Sequence, residues 1–111
     1  MTGVQTCALP IFLEVKSRGI GFSEDPTLYW QRDLYVDTVS GYEAKKVKPY
    51  AYVMVSQKSG NMIVVHSNTK EHWFKKTVTD PYRKITDVFY KVERHHITTW
   101  DDLVKDLKSS L

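Results

Sequence analysis

Glu14-Val15-Lys16 is the point in this chain where side-chain types and spacing suit chemistry. On an extended strand successive residues face opposite sides, so Glu14 and Lys16 share one face while Leu13 and Val15 point to the other. A carboxylate and an ammonium side by side on an apolar strand suit metal-assisted phosphodiester hydrolysis. The carboxylate offers Mg²⁺ a hard oxygen ligand and the Val15 carbonyl offers another, while the lysine orients the attacking water or offsets developing negative charge. The same triplet also describes a solvated strand pair, because Glu-x-Lys arises by chance roughly once per couple of hundred residues at average usage.

The elements around the triplet give it a setting. Residues 12–17 read as a strand of apolar and β-branched residues cut off by Arg18-Gly19, and residues 20–27, with Ser23, Glu24, Asp25 and Pro26, read as a loop. Over residues 29–47, Tyr35, Val39 and Tyr42 recur at helical spacing, which predicts a helix that Gly41 breaks or bends. Residues 50–56 are a near-continuous apolar run after Pro49, the pattern of a strand covered on both faces. A turn at residues 57–61 joins that run to Met62-Ile63-Val64-Val65-His66 as a hairpin. Residues 69–79 are assigned a short helix, Asp80-Pro81 a turn, and residues 87–92 a further strand. Trp100, Leu103, Val104 and Leu107 then fall at i, i+3, i+4 and i+7 behind Thr99, with Asp102 three residues on, so an amphipathic helix with a capping-box-like start closes the chain. The order strand, helix, strand, strand, short helix, strand, helix predicts an α/β fold: a mixed sheet with a strand-helix-strand crossover and a C-terminal amphipathic helix.

Composition narrows the classes. Of the 111 residues, 16 are Lys or Arg and 13 are Asp or Glu, a net charge of +3 that is compatible with a polyanionic partner. Lys45, Lys46, Lys48, Lys75, Lys76, Arg83 and Lys84 carry most of the excess. The single cysteine, Cys7, leaves no basis for a disulfide framework or a multi-thiolate metal site. No run approaches the roughly 18 apolar residues of a spanning helix, and a cytoplasmic protein is expected. His66, His72, His95 and His96 are spread along the chain, and on a strand adjacent His95 and His96 would face opposite sides rather than converge on one metal. Trp30, Trp73 and the tyrosines have the faces to stack on bases, although such aromatics more often form a core or its rim. Asp80 and Arg83 read as a turn held by a side chain.

Two resemblances follow from these residues. The stretch Thr2-Gly3-Val4-Gln5-Thr6-Cys7-Ala8-Leu9-Pro10-Ile11 resembles the translation of a short-read sequencing adapter, so residues 1–11 are expected to be non-native and residues 12–111 to be a partial domain. Glu14-Val15-Lys16 ending a strand, followed by Ser17-Arg18-Gly19, a loop, a helix and a buried-type strand, resembles the second half of the signature of the PD-(D/E)xK nuclease superfamily. The likeness covers about residues 12–65, and in particular the stretch looks like small phage and mobile-element nucleases and resolvases of that group.

The resemblance implies a truncated restriction-endonuclease-like core in which Glu14 is the metal-binding acid, Val15 the carbonyl ligand and Lys16 the signature lysine, with Mg²⁺ or Mn²⁺ as cofactor. Gln31-Arg32-Asp33-Leu34-Tyr35 matches the Gln-x-x-x-Tyr pattern of one branch, which makes Gln31 and Tyr35, with Arg18, the implied nucleic-acid contacts. Read from the residues alone, Gln31 is expected at the surface and Tyr35 in the core. The superfamily's aspartate would lie ahead of Phe12, where no acidic residue is present. The expected parent is therefore a metal-dependent nuclease acting on nucleic acid, DNA in the first instance, and dimeric if it cuts both strands. The chain itself is expected to be inactive. The alternative is a non-catalytic DNA-binding or protein-interaction module with the same α/β core, in which Glu14 and Lys16 are a salt-bridged strand pair.

Overall fold

The computed structural model describes residues 11–109. The adapter-like segment, apart from Ile11, lies outside the described residues. Among the described residues, six strands form two three-stranded sheets. The first sheet contains β1 (Leu13–Arg18), β3 (Ala51–Ser56) and β4 (Met62–His66), with β3 central, parallel to β1 and antiparallel to β4. The second contains β2 (Asp33–Thr38), β5 (Phe74–Asp80) and β6 (Ile85–Glu93), with β6 central and both pairings antiparallel. The helices are α1 (Val39–Ala44) and α2 (Trp100–Ser109), with short 3-10 turns at Pro26–Leu28, Ser67–His72 and Arg94–His96.

The expected strand at residues 12–17, the β3-β4 hairpin and the terminal helix are all present. The parallel neighbour of the Glu14-Val15-Lys16 strand is β3, with Glu14 opposite Tyr52 and Lys16 opposite Met54. Two assignments are corrected. Residues 29–47 are not one helix: Leu34-Tyr35-Val36 extends into β2, and only the six residues of α1 are α-helical. Residues 69–79 divide between a 3-10 turn and β5. In both places β-branched and aromatic residues find cross-strand partners on β6, and that pairing outweighs a local helical pattern. The sheet is therefore two sheets, and the crossover from β1 to β3 carries a strand of the second sheet besides its short helix. His95 and His96 lie on a 3-10 turn rather than a strand, and their rings approach to 4.0 Å.

The hairpin's alternation divides the core into two layers. Tyr52, Met54, Ile63 and Val65 face the second sheet, where Leu34, Val36, Tyr90 and Val92 meet them. Ala51, Val53 and Val64 face the other way and are covered by Leu103 of α2, with Trp100 and Leu107 beside it. Burial on both faces accounts for the unbroken apolar run in β3. Thr99 starts α2 by accepting a hydrogen bond from the Asp102 amide at 3.1 Å, while the Asp102 carboxylate accepts from the Thr98 hydroxyl at 3.0 Å. One turn on, Asp106 accepts from the Tyr50 hydroxyl and from His66 Nε2, the latter at 2.8 Å. His66 Nδ1 accepts from the Asn68 amide, which leaves the ring proton on Nε2.

Leu103 is fully buried at the centre of the α2 contact. Leu103→Ala should cost about 2 to 5 kcal/mol in urea unfolding, the range for emptying a buried leucine site. A loss under about 0.5 kcal/mol would mean that α2 does not cover the sheet.

Candidate functional site

Glu14 and Lys16 project from one face of β1, toward the second sheet, with Lys16 Nζ 3.8 Å from Glu14 Oε2. Val15 faces the other way and is 63% exposed. What the sequence did not single out is the group that Lys16 reaches across the sheets. Asp37, on β2, accepts from Lys16 Nζ at 3.3 Å and from the Thr38 amide at 2.8 Å through Oδ1. Through Oδ2 it accepts from Lys45 Nζ at 2.8 Å and from the Tyr52 hydroxyl at 2.7 Å.

A bulge puts Asp37 there. The β2-β6 register shifts between Tyr35 and Asp37, so Val36 and Asp37 are both buried instead of alternating. An extra residue in one strand re-aims the side chains that follow it. Just beyond, the Thr38 hydroxyl caps α1 by accepting from the Gly41 amide at 3.0 Å. A Cβ at Gly41 would lie 2.6 Å from that hydroxyl and 3.2 Å from Asp37 Oδ1, so the glycine makes room for the cap and the carboxylate together. Lys45 follows α1 and also donates to the Gly41 carbonyl at 3.1 Å.

Burial pushes the Asp37 carboxyl up, but the hydrogen bonds from Lys45 and Tyr52 and the Lys16 and Lys45 charges outweigh it and hold Asp37 below the usual carboxylate range. The Tyr52 hydroxyl moves the opposite way, pushed well above the ordinary tyrosine value by burial and by its bond to Asp37.

Beside this cluster the two sheets part to form a cleft of about 560 Å³, lined by Lys16, Asp37 and all three implied nucleic-acid contacts, Arg18, Gln31 and Tyr35. Tyr35 is 38% exposed, so it belongs to the cleft wall and not to the core. Trp30 also lines the cleft, whereas Trp73 is buried against Tyr42, Tyr52 and Tyr90. The loop after β1 is pinned to the β3-β4 turn, with the Ser56 hydroxyl donating to the Ile20 carbonyl at 2.7 Å and Asn61 Nδ2 to the Phe22 carbonyl at 3.0 Å. The histidines lie outside the cleft lining.

The described residues do not fit a divalent ion as they stand. Both oxygens of Asp37 already accept two donors each, and its negative charge is met by two ammonium groups. Glu14 is then the remaining acid beside Lys16, and no group of three His, Cys, Asp or Glu suited to a metal occurs among the described residues. Mg²⁺ needs several oxygen ligands and tolerates adjacent ammonium groups poorly. Comparison with protein-family models, with curated proteins and with solved structures finds no match.

Two outcomes test the cluster. Asp37→Ala removes the nearer acid of Lys16 and the acid of Lys45, leaves the buried Tyr52 hydroxyl without its acceptor, and should cost about 2 to 4 kcal/mol, somewhat below the fully buried case because both lysines keep contact with water. Because the folded Asp37 carboxyl is depressed, its contribution is fully present above the unfolded value near about 4 and is lost as pH falls through the lower folded value. Chemical denaturation from neutral pH into that acid range should therefore show a steeper decline for the parent than for Asp37→Asn; equal declines would remove Asp37 from the acid limb.

Proposed function

We propose that this chain is a nucleic-acid-binding domain of the PD-(D/E)xK type, in which Lys16 and Arg18 receive a backbone phosphate and Glu14 is the acid presented beside it, the parent protein being a nuclease. The observation that carries this reading is the convergence of Glu14, Lys16, Arg18, Gln31 and Tyr35. The first three come from one strand and the others from a segment more than a dozen residues away, yet Lys16, Arg18, Gln31 and Tyr35 line a single cleft with Glu14 beside Lys16. Lys16 supplies a point charge to a phosphate oxygen and Arg18 a planar pair of donors, the combination that holds phosphodiesters. Mg²⁺ or Mn²⁺ belongs to the proposal for the parent alone. A second reading, a binding module without hydrolysis, is favoured by the saturation of Asp37, because two lysines held on one carboxylate make a stable anion-facing surface that needs no metal.

Fluorescence anisotropy with labelled DNA and RNA, paired with a cleavage assay in Mg²⁺ and in Mn²⁺, separates these readings. The chain should bind with an affinity that falls as salt rises and should leave the strands uncut. Lys16→Ala should weaken binding across sequences and reduce the slope of log affinity against log salt by about 1. In a form with native sequence ahead of Phe12, cleavage should appear in Mg²⁺ and largely vanish with Lys16→Ala. A folded longer form that binds but never cuts replaces the nuclease with the binding module, and salt-independent or absent binding removes both.

A further inference from the structure

Phosphate capture uses only the polar edge of the cleft and leaves its aromatic wall unexplained. Tyr35 and Phe89 meet edge to face with ring centroids 5.0 Å apart, and Lys91 Nζ lies 4.4 Å from the centroid of Tyr35, so the ring is packed against β6 while the residue stays partly exposed. Trp30 stands on the same lining and is 60% exposed, a large apolar surface for a side chain so close to the core. Its neighbour Tyr29 is anchored through its carbonyl by Arg94 Nη1 at 3.0 Å.

Arg18 is the second, independent feature. Its guanidinium is half-buried and donates one hydrogen bond, from Nη2 to the Tyr35 carbonyl at 3.3 Å. No carboxylate lies within ion-pair distance of it among the described residues, in contrast to Lys16, Lys45, Arg83 and Lys91. A partly desolvated guanidinium without an acid, set beside exposed aromatic rings, is suited to a ligand that brings an anion and a flat apolar face together. The cleft volume falls within the range of small-ligand sites.

We propose that the cleft takes one unpaired nucleotide of a nucleic-acid strand, with its base against Trp30 and Tyr35 and its phosphate at Arg18 and Lys16. This deepens the nucleic-acid reading above and rests on it. A base inside a duplex has both faces stacked and cannot reach the aromatic wall, whereas a base in a single strand, flap or loop offers its face at little cost. Gln31, exposed at the rim, is placed to donate to or accept from a base edge.

The test compares three probes by anisotropy at fixed salt: a short oligothymidylate, the same backbone with abasic sites, and a blunt duplex of matching length. Oligothymidylate should bind about tenfold or more tighter than either of the others. Trp30→Ala and Tyr35→Ala should each weaken oligothymidylate binding about fivefold or more while leaving abasic binding unchanged, and Trp30→Phe should recover most of the loss. Both side chains are solvent-exposed, so the variants should keep the parent's circular dichroism. Arg18→Gln should weaken all three probes. Equal affinity for the three probes, or aromatic variants that bind oligothymidylate like the parent while Lys16→Ala does not, overturns the nucleotide cleft and leaves phosphate binding standing. Loss of every interaction with nucleic acid overturns both.

Discussion

The Asp37 carboxylate ties the two sheets together beside Lys16 and Tyr52 of the first sheet. Its four donors come from four places: Lys16 on β1, Tyr52 on β3, the Thr38 amide beside it, and Lys45 beyond α1. Removing a carboxylate from water costs several kcal/mol, and that cost is offset only when its lone pairs are filled by well-placed donors. A smaller number of donors would leave the anion buried and the inter-sheet contact unfavourable. The bulge at Val36, the absence of a Cβ at Gly41 and the short α1 that delivers Lys45 are all geometric conditions for meeting that demand.

The same saturation shapes what the site can hold. Lys16 is fixed at the cleft by Asp37 and shared with Glu14 at longer range, so the local charge of Lys16, Lys45 and Arg18 exceeds that of Glu14 and Asp37. The surplus is positive and faces an aromatic cavity. An anionic ligand relieves it. A divalent cation would add to it unless a lysine withdrew, because two like charges a few ångströms apart repel strongly wherever water is excluded. The apolar layers behind the cleft keep that arrangement rigid: Tyr52 and Met54 pack against Leu34, Val36, Tyr90 and Val92, so a shift of Asp37 would have to move the inter-sheet core with it.

Period-two alternation was sufficient to place Glu14 and Lys16 on one face, and the apolar run at residues 50–56 was sufficient to mark a doubly covered strand. The α2 stripe was legible for the same reason, since its burial follows from residues one turn apart. Asp37 was not legible. In Leu34-Tyr35-Val36-Asp37-Thr38 two local patterns compete, because Tyr35, Val39 and Tyr42 share a helical period while the deciding partners lie fifty to sixty residues on, in β6. The bulge is equally silent, being a property of the β2-β6 register. A usable signal was present in the run of β-branched and aromatic residues through β2 and through Thr77-Val78-Thr79, which carries more weight than a three-residue helical pattern. The Gln31 and Tyr35 spacing pointed toward the cleft, but only the folded chain sets both beside Arg18.

The most direct test of Asp37 as an inter-sheet clamp, rather than a metal ligand, is a Mg²⁺ titration followed by carboxylate carbon NMR, with the Asp37 signal assigned through Asp37→Asn. The clamp predicts that the Asp37 carboxylate resonance holds its position as Mg²⁺ rises into the millimolar range, because no lone pair is free and both lysines stay in place. A saturable shift of that resonance, accompanied by release of the Lys16 ammonium from its hydrogen bond, would contradict it and make Asp37 the second acid of a metal site.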